Sequence, residues 1–158
     1  MTVEIQIAST SQSLPNQEQF IQWVGLATES ARQGADVVIR IVDQVESAEL
    51  NTTYRQKEGA TNVLSFPFEM PNGMPDDALT EDILGDLVIC APIVEEQAEQ
   101  QGKLGLSHWA HMVIHGCLHL QGYDHVESEQ AMVMENLEIK LLDSIGIGNP
   151  YSDNSDET

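Results

Sequence analysis

The stretch His115-Gly-Cys-Leu-His-Leu-Gln-Gly-Tyr-Asp-His125 decides how the rest of this 158-residue chain is interpreted. On a helix, residues four apart lie on one face a single turn apart, so His115 and His119 can bind one metal ion. Gly122 suits a left-handed helix stop, and a chain reversal there would return His125 toward the same point. Three neutral imidazoles with one open position are typical of a catalytic zinc site whose fourth ligand is water. The stretch therefore predicts one Zn²⁺ per chain.

The residues before this stretch predict a helix from about 106 to 121 with two different faces. His108, His111, His115 and His119 fall on one side of it. We expect His108 and His111 either to line the cleft beside the metal or to be plain surface residues. The opposite side carries an apolar stripe at helical spacing, formed by Leu106, Trp109, Ala110, Val113, Ile114, Cys117 and Leu118.

Length and composition predict one domain over residues 1–148, followed by a disordered acidic tail over 149–158. Hydrophobic residues make up 41% of the chain, which is ordinary for a globular protein. The sequence contains no apolar run of membrane-spanning length and no basic signal-peptide front, so we expect a cytoplasmic protein that does not associate with a membrane. Cys90 and Cys117 stand alone in apolar patterns, which favours free buried thiols over a disulfide.

The net charge of −20 comes from 6 basic and 26 acidic residues, and it disfavours nonspecific binding to a phosphate backbone. A nucleic-acid substrate remains compatible if the few cations are concentrated at the site. Arg55 and Lys57 lie just ahead of a predicted strand and are candidates for this role. Arg can bind a phosphate through its planar fork, and Lys adds a mobile point charge. The alternative is that both are solvated loop cations that pair with nearby acids.

Periodicity predicts an alternation of strands and helices along the chain. Residues 69–82 are expected to form a mobile loop. The predicted strands lie at 3–7, 37–42, 62–66 and 84–89, and the predicted helices lie between Pro15 and Gly34, from 44 to about 54, between Pro92 and Gly102, from 106 to 121, and from after His125 to Gly146.

Three local features refine this pattern. Asp43 with Glu46 resembles a capping box at the start of the second helix. Gly85 indicates a bulge or a close approach by another backbone. The helix between Pro92 and Gly102 is polar and is expected to be exposed, whereas the last helix should bury Met134, Leu137, Leu141 and Ile145.

The spacing His-x3-His-x2-Gly-x2-His matches the zinc-binding run of metzincin peptidases, with one difference. Those enzymes carry Glu directly after the first His, as the general base for the attacking water. Gly116 occupies that position here. A peptidase built in this way would lack its base, which disfavours a protease.

The full set of motifs resembles the YbeY family of zinc-dependent endoribonucleases, which act in ribosomal RNA maturation. The resemblance runs from about residue 50 to the last helix. The matching pieces are Tyr54-Arg55-x-Lys57, Thr61-Asn-Val-Leu-Ser-Phe-Pro67, Leu84-Gly-Asp86 and His115-Gly-x-Leu-His-Leu-x-Gly-Tyr-Asp-His125.

The resemblance implies an α+β, zincin-like fold: a mixed four-stranded sheet, about five helices, and the metal helix packed on the sheet. It implies His115, His119 and His125 as zinc ligands. It also implies Arg55 as the residue that contacts the substrate phosphate, with Lys57 beside it. We therefore expect a single-strand-specific endoribonuclease in ribosomal RNA processing and ribosome quality control, with Arg55 and His115 catalytic. The acidity of the chain favours ribosomal proteins as additional partners.

Two alternatives are open at this point. A zinc metallohydrolase acting on peptides or small phosphoesters would keep the zinc and need no RNA. A noncatalytic ribosome-assembly factor would use zinc as a structural staple. Structural zinc sites usually have four protein ligands, and only three are evident here, which favours catalysis. No residue is a clear general base; Asp124 could orient a ligand imidazole or cap a helix.

Overall fold

The structure is a computed structural model that describes residues 2–29, 34–68, 83–123 and 127–151. Within these ranges the chain forms four strands and five helices. In chain order they are β1 (Val3–Ala8), α1 (Gln17–Thr28), β2 (Asp36–Val42), α2 (Gln44–Arg55), β3 (Val63–Pro67), β4 (Ile83–Cys90), α3 (Ala91–Gln100), α4 (Gly105–Leu120) and α5 (Ser128–Asp143).

The four strands form one mixed sheet in the order β1-β2-β4-β3. β1, β2 and β4 run parallel, and β3 pairs antiparallel with β4 at one edge. Alternation along β2 places Val37, Ile39 and Ile41 in the main core, as expected for a strand whose faces differ. The predicted α+β fold with a mixed four-stranded sheet and five helices is confirmed.

Helix α4 is the central helix of the fold, and it packs against β3, β4, α1, α3 and α5. Its apolar stripe is buried as predicted, and Trp109 meets Phe20 of α1 edge to face at a centroid distance of 6.0 Å. Leu106 was predicted as part of this stripe, and that prediction is wrong. It lies in the first turn of α4, outside the core cluster, and it is 47% exposed.

The capping box predicted at Asp43 and Glu46 is wrong. Asp43 is the N-cap residue of α2, but its side chain does not cap the helix. Its carboxylate accepts instead from the Ser9 hydroxyl at 2.5 Å and from the Thr10 backbone N–H at 3.1 Å. Glu46 pairs with Arg40 of β2 at 2.5 Å. Asp43 therefore binds the loop after β1, and Glu46 binds β2.

Helix α3 is not exposed on all sides, contrary to expectation. Ala91, Val94 and Ala98 are buried, because this short apolar row in an otherwise polar helix faces α4 and β4. Helix α5 packs as predicted: Met134 is buried, and Leu137, Leu141 and Ile145 lie against the core. The expected free, buried thiols are confirmed at Cys90 and Cys117.

Residues 69–82, predicted as a mobile loop, lie outside the described residues. The same holds for residues 152–158 of the predicted tail, and the division between domain and tail stays a prediction. Tyr151, the last described residue, makes hydrogen bonds to Glu138 of α5. Within the described ranges, no helix has both the length and the apolar character needed to cross a membrane.

Gly85 allows β3 to lie close to β4 beside the end of α4. The pairing of β2 with β4 shifts register here, since Asp36 pairs with Ile83 and Val37 with Gly85. Gly85 has φ +146°, and a Cβ atom at this position would collide with the backbone oxygen of Phe66 and approach Leu120 to 2.9 Å. Of the two alternatives expected for this glycine, the close approach by another backbone is confirmed, and a register shift accompanies it.

We predict that Gly85→Ala lowers the free energy of unfolding by about 2–3 kcal/mol, because it adds backbone strain and overlaps with a rigid carbonyl. Gly102→Ala is the matched control. Gly102 also has a positive φ, +66°, but open space surrounds its Cα, so this substitution should cost only about 1 kcal/mol. Urea unfolding of both variants measures the difference, and equal losses would contradict this account of Gly85.

Candidate functional site

Helix α4 carries a continuous row of histidine rings. The centroids of His108 and His111 lie 6.1 Å apart, those of His111 and His115 lie 5.9 Å apart, and those of His115 and His119 lie 4.6 Å apart. His108 and His111 are buried, whereas His115 and His119 are half-buried. The C-terminal half of the row is therefore the more exposed half.

The open end of this row lies in a cleft of about 680 Å³ between α4, the end of α2 and β3. His115 and His119 line it from α4, and the chain after α4 contributes Gly122 and Tyr123. The other wall consists of Asn51, Arg55, Lys57, residues 61–65 and Pro67. The structure thus brings four of the predicted site residues, Arg55, Lys57, His115 and His119, to one cleft.

His115 and His119 fit a shared metal ion. Zinc binds imidazole nitrogen at about 2.0–2.1 Å, so two rings on one ion have centroids roughly 5 Å apart. The observed 4.6 Å agrees with that arrangement. The third predicted ligand, His125, lies outside the described residues. Its role as a ligand stays a prediction, as do the proposed role of Asp124 and the roles of His115 and His119 as metal ligands.

The chain turns at the end of α4 as the sequence predicts. Gly122 has φ +99°, and its N–H donates to the carbonyl of His119 at 3.0 Å. The N–H of Tyr123 donates back to the carbonyl of Leu118 at 3.1 Å. This left-handed turn ends the helix. Tyr123, the last described residue before His125, lines the cleft.

Arg55 is held against the edge strand β3. It is the last residue of α2, and its guanidinium donates to the carbonyl of Ser65 and lies 5.3 Å from the centroid of the Phe66 ring. Ser65 also donates its hydroxyl to the carbonyl of Gly116 at 3.3 Å. Ser65 therefore contacts both the cation on one wall of the cleft and the histidine helix on the other.

Lys57 reaches the cleft through a tight turn at the end of α2. Gln56 takes a left-handed conformation with φ 57°, and the N–H of Lys57 donates to the carbonyl of Asn51 at 3.3 Å. The side-chain amide of Asn51 in turn donates to the carbonyl of Gly59 at 2.9 Å. These bonds fix the backbone that carries Lys57.

The lining of the cleft is opposite in charge to the chain as a whole. Among its described lining residues are two cations, Arg55 and Lys57, and no Asp or Glu. The complete chain contains only 6 Lys and Arg against 26 Asp and Glu. Such a local excess of positive charge suits an anionic group placed beside the imidazoles.

Gly116 faces the sheet rather than the cleft. A Cβ atom there would lie 2.7 Å from Leu87 Cδ2 of β4 and 3.3 Å from Val63 Cγ2 of β3. The residue that follows His115 therefore has no room for a carboxylate side chain unless Leu87 moves. This geometry agrees with the absence of the metzincin general base.

Behind the histidine row, Glu138 of α5 forms a buried polar network. Its side chain is 1% exposed, and its Oε1 atom lies 2.7 Å from His111 Nε2 and 3.0 Å from His115 Nδ1. The Tyr151 hydroxyl donates to both carboxylate oxygens, at 3.0 Å and 2.9 Å. His115 therefore belongs to the cleft on one side and to this network on the other.

The electrostatics of the network hold the carboxylate in its charged form. Burial alone would raise the pKa of Glu138, but hydrogen bonds from His111 and His115 outweigh it and bring this pKa to about 2. Burial lowers the pKa of His111, and the Glu138 carboxylate offsets this only in part. Burial and the neighbouring carboxylate raise the pKa of Tyr151, so its hydroxyl keeps its proton.

His111, His115 and Glu138 form a group that could hold a metal ion, since their ligand atoms lie within 4.8 Å of one another. His115 is common to this group and to the cleft. The described part of the chain thus offers one metal-binding region on α4, with two alternative sets of partners for His115.

His108 and His111 do not line the cleft, and neither is a surface residue. His108 Nε2 lies 2.9 Å from the side-chain oxygen of Gln97, which also accepts from the Asn62 amide at 3.2 Å. Burial lowers the pKa of His108 to about 4, so the ring is neutral. The hydrogen bond between His108 and Gln97 connects α4 to α3, and the one between His111 and Glu138 connects α4 to α5.

Sequence reasoning missed Glu138, Tyr151 and Ser65. A signal existed for Glu138, because it lies four residues after Met134 and four before Leu142, in the row that α5 buries. A charged residue in such a position needs partners. No comparable pattern marks Tyr151 or Ser65, whose partners are distant in sequence.

Comparison with known proteins shows which family this chain belongs to. The sequence pattern of the family described as Endoribonuclease YbeY matches residues 4–146. An endoribonuclease YbeY from Methylococcus capsulatus is 56% identical over 147 residues, which covers 93% of this chain and 93% of that protein. The solution structure of TM1509 from Thermotoga maritima superposes with a TM-score of 0.62 at 26% identity, covering 91% of this chain and 89% of that one. This chain belongs to the YbeY family.

Proposed function

We propose that this protein is a zinc-dependent endoribonuclease that cleaves single-stranded RNA in ribosomal RNA processing and ribosome quality control. One zinc per chain would be held by His115, His119 and His125. The observation that carries the proposal is the cleft in which the two α4 imidazoles face Arg55 and Lys57 with no described acid between them. That combination suits a phosphodiester, because a bound metal ion and a nearby cation can both stabilise the negative charge that develops on its phosphoryl oxygens.

Arg55 would bind the scissile phosphate. Its guanidinium is held by the Ser65 carbonyl and the Phe66 ring, so it is pre-positioned and loses little freedom when substrate binds. As negative charge grows on the phosphoryl oxygens, the fixed cation stabilises it. Lys57 adds a second positive charge for the flanking backbone.

The imidazoles of His115, His119 and His125 suit zinc in both number and type, and they leave a position open. Zinc bound there would lower the pKa of a coordinated water toward about 7 and polarise a phosphoryl oxygen. The chain's own contribution is to keep two of these imidazoles on consecutive turns of a buried helix, which fixes their separation before the metal arrives.

The charge of the chain and its free thiols support the proposed partners and location. A chain of net charge −20 gains little from nonspecific attraction to RNA, so ribosomal proteins would supply part of the affinity. We place the activity in the cytoplasm, where two free buried thiols remain reduced.

We predict that the protein binds one zinc per chain and that His119→Ala empties the site, because one of the converging imidazoles is lost. Elemental analysis after reconstitution measures the occupancy. His108→Gln is the matched control: it changes a buried histidine of the same helix that contacts Gln97 instead of the cleft, and it should retain one zinc. Full occupancy in His119→Ala would mean that the ligands lie elsewhere.

Arg55→Ala should slow cleavage of single-stranded RNA by about 10²-fold or more, with zinc content and folding unchanged, because charge on the phosphate is no longer neutralised. Arg55→Lys should restore activity only in part, since the bidentate fork is lost. Arg40→Ala removes the same charge from a residue paired with Glu46, away from the cleft, and should cleave normally. A normal rate of RNA cleavage in Arg55→Ala would mean that Arg55 does not act on the substrate.

The zinc form should cut single-stranded RNA, lose that activity in EDTA, and leave unfolded casein intact. A peptidase needs a carboxylate beside the metal water, and removing a general base costs about 10²–10⁴ in rate. Gly116 supplies none, and its position faces Leu87. Casein digestion that disappears in His115→Ala, with RNA left uncut, would make the protein a peptidase instead.

A further inference from the structure

We propose that Glu138 is a positioning residue that holds the imidazole of His115 in its Nδ1–H tautomer, which leaves Nε2 as the unprotonated nitrogen for the cleft. The proposal rests on the proposed function, in which His115 is a metal ligand. Glu138 lies behind His115 on α5 and does not line the cleft.

The carboxylate imposes the direction of its hydrogen bonds. An ionised carboxylate can only accept, so a ring nitrogen within hydrogen-bond distance must donate. Nδ1 of His115 at 3.0 Å and Nε2 of His111 at 2.7 Å both lie at that distance from the same oxygen. His115 must therefore carry its proton on Nδ1 when it is neutral.

The distances from Glu138 to His111 and His115 favour hydrogen bonds over a metal ion shared by these three residues. Two ligand atoms bound tetrahedrally to zinc at about 2.0–2.1 Å lie roughly 3.3 Å apart. The contacts from Glu138 to the two rings, 2.7 Å and 3.0 Å, are shorter than this and normal for charge-assisted hydrogen bonds. The cluster is thus arranged as a support for the ring of His115.

Tyr151 completes the support from the C-terminal side. Its hydroxyl donates to both oxygens of Glu138 and fixes the plane of the carboxylate. With two donors on α4 and a third after α5, the fully buried carboxylate cannot rotate away without losing several bonds at once. The segment after α5 therefore helps to orient a residue of the cleft through Glu138.

Orientation of this kind matters for metal binding. A ligand histidine usually donates its other ring N–H to an acceptor, which selects the tautomer and increases the basicity of the binding nitrogen. Without an acceptor at Nδ1, the proton can reside on Nε2, and a metal ion would have to displace it.

The test combines two measurements on purified full-length protein. Long-range ¹H–¹⁵N NMR reports the tautomer of His115 in the metal-free state, and competition with a chelator reports zinc affinity. Both are made on wild type, Glu138→Ala, Glu138→Gln and Tyr151→Phe. Leu142→Ala is the matched control, because Leu142 lies one turn further along α5 and is equally buried but makes no contact of this kind.

We expect the Nδ1–H tautomer in wild type and a loss of that preference in Glu138→Ala, with zinc affinity reduced about 10–100-fold. Glu138→Gln keeps an accepting oxygen without the charge, so it should retain the tautomer and lose about threefold to tenfold in affinity. Tyr151→Phe should resemble Glu138→Gln. Leu142→Ala should lose stability while keeping both the tautomer and the affinity of wild type.

The proposal is overturned if folded Glu138→Ala keeps the Nδ1–H tautomer and wild-type affinity. If Glu138→Ala does not fold, wild-type affinity in both Glu138→Gln and Tyr151→Phe overturns it. Failure of the proposed function looks different: a wild type with the Nδ1–H tautomer that binds zinc but leaves RNA intact would refute the nuclease and leave the role of Glu138 standing.

Discussion

The close packing of α4 on β3 and β4 at Gly116 is the contact on which the site depends. A glycine at this point lets the helix backbone approach Leu87 and Val63, and it lets the Ser65 hydroxyl reach the Gly116 carbonyl. Because residue 116 faces the sheet, the preceding His115 is rotated by about 100° toward the edge of the sheet. That edge is β3, whose Ser65 carbonyl also holds Arg55. The spacing between imidazole and cation is therefore set by rigid backbone on both sides.

A second constraint is the distribution of charge. The chain carries a net charge of −20, yet the cleft concentrates Arg55 and Lys57 beside the half-buried histidines. Such an arrangement repels polyanions over most of the surface and favours a phosphate only where it meets the cations. Recognition by a ribosomal partner and cleavage at the cleft would then be separate contributions, the first supplying affinity and the second chemistry.

Much of the fold could be predicted because its signals are local. The strands β1 and β2, the apolar stripe of α4 beyond Leu106 and the helix stop at Gly122 each depend on neighbours in sequence, and each is confirmed. The wrong predictions also come from local signals, which say nothing about contacts between distant parts of the chain. Asp43 with Glu46 resembles a capping box in sequence, whereas the Asp43 carboxylate accepts from Ser9 and Thr10, more than thirty residues earlier. Leu106 fits the helical period but lies beyond the core cluster.

Only the cleft side of the candidate site was predictable, because its residues stand out by their spacing or their charge in the sequence. Two histidines four residues apart must share a helical face, and Arg55 and Lys57 stand out in a chain with so few cations. The packing of α5 brings Glu138 to His115, and the segment after α5 brings Tyr151 to Glu138; no short-range pattern specifies either contact. His111 illustrates the limit: its position in the row was clear, but its burial against Glu138 was not.

Anomalous diffraction at the zinc edge, from crystals of the zinc-loaded protein, tests the central claim most directly. The account predicts one peak per chain in the cleft, about 2.0–2.1 Å from nitrogens of His115, His119 and His125, with Glu138 still bonded to Nδ1 of His115. A peak among His111, His115 and Glu138, with the cleft empty, would contradict it.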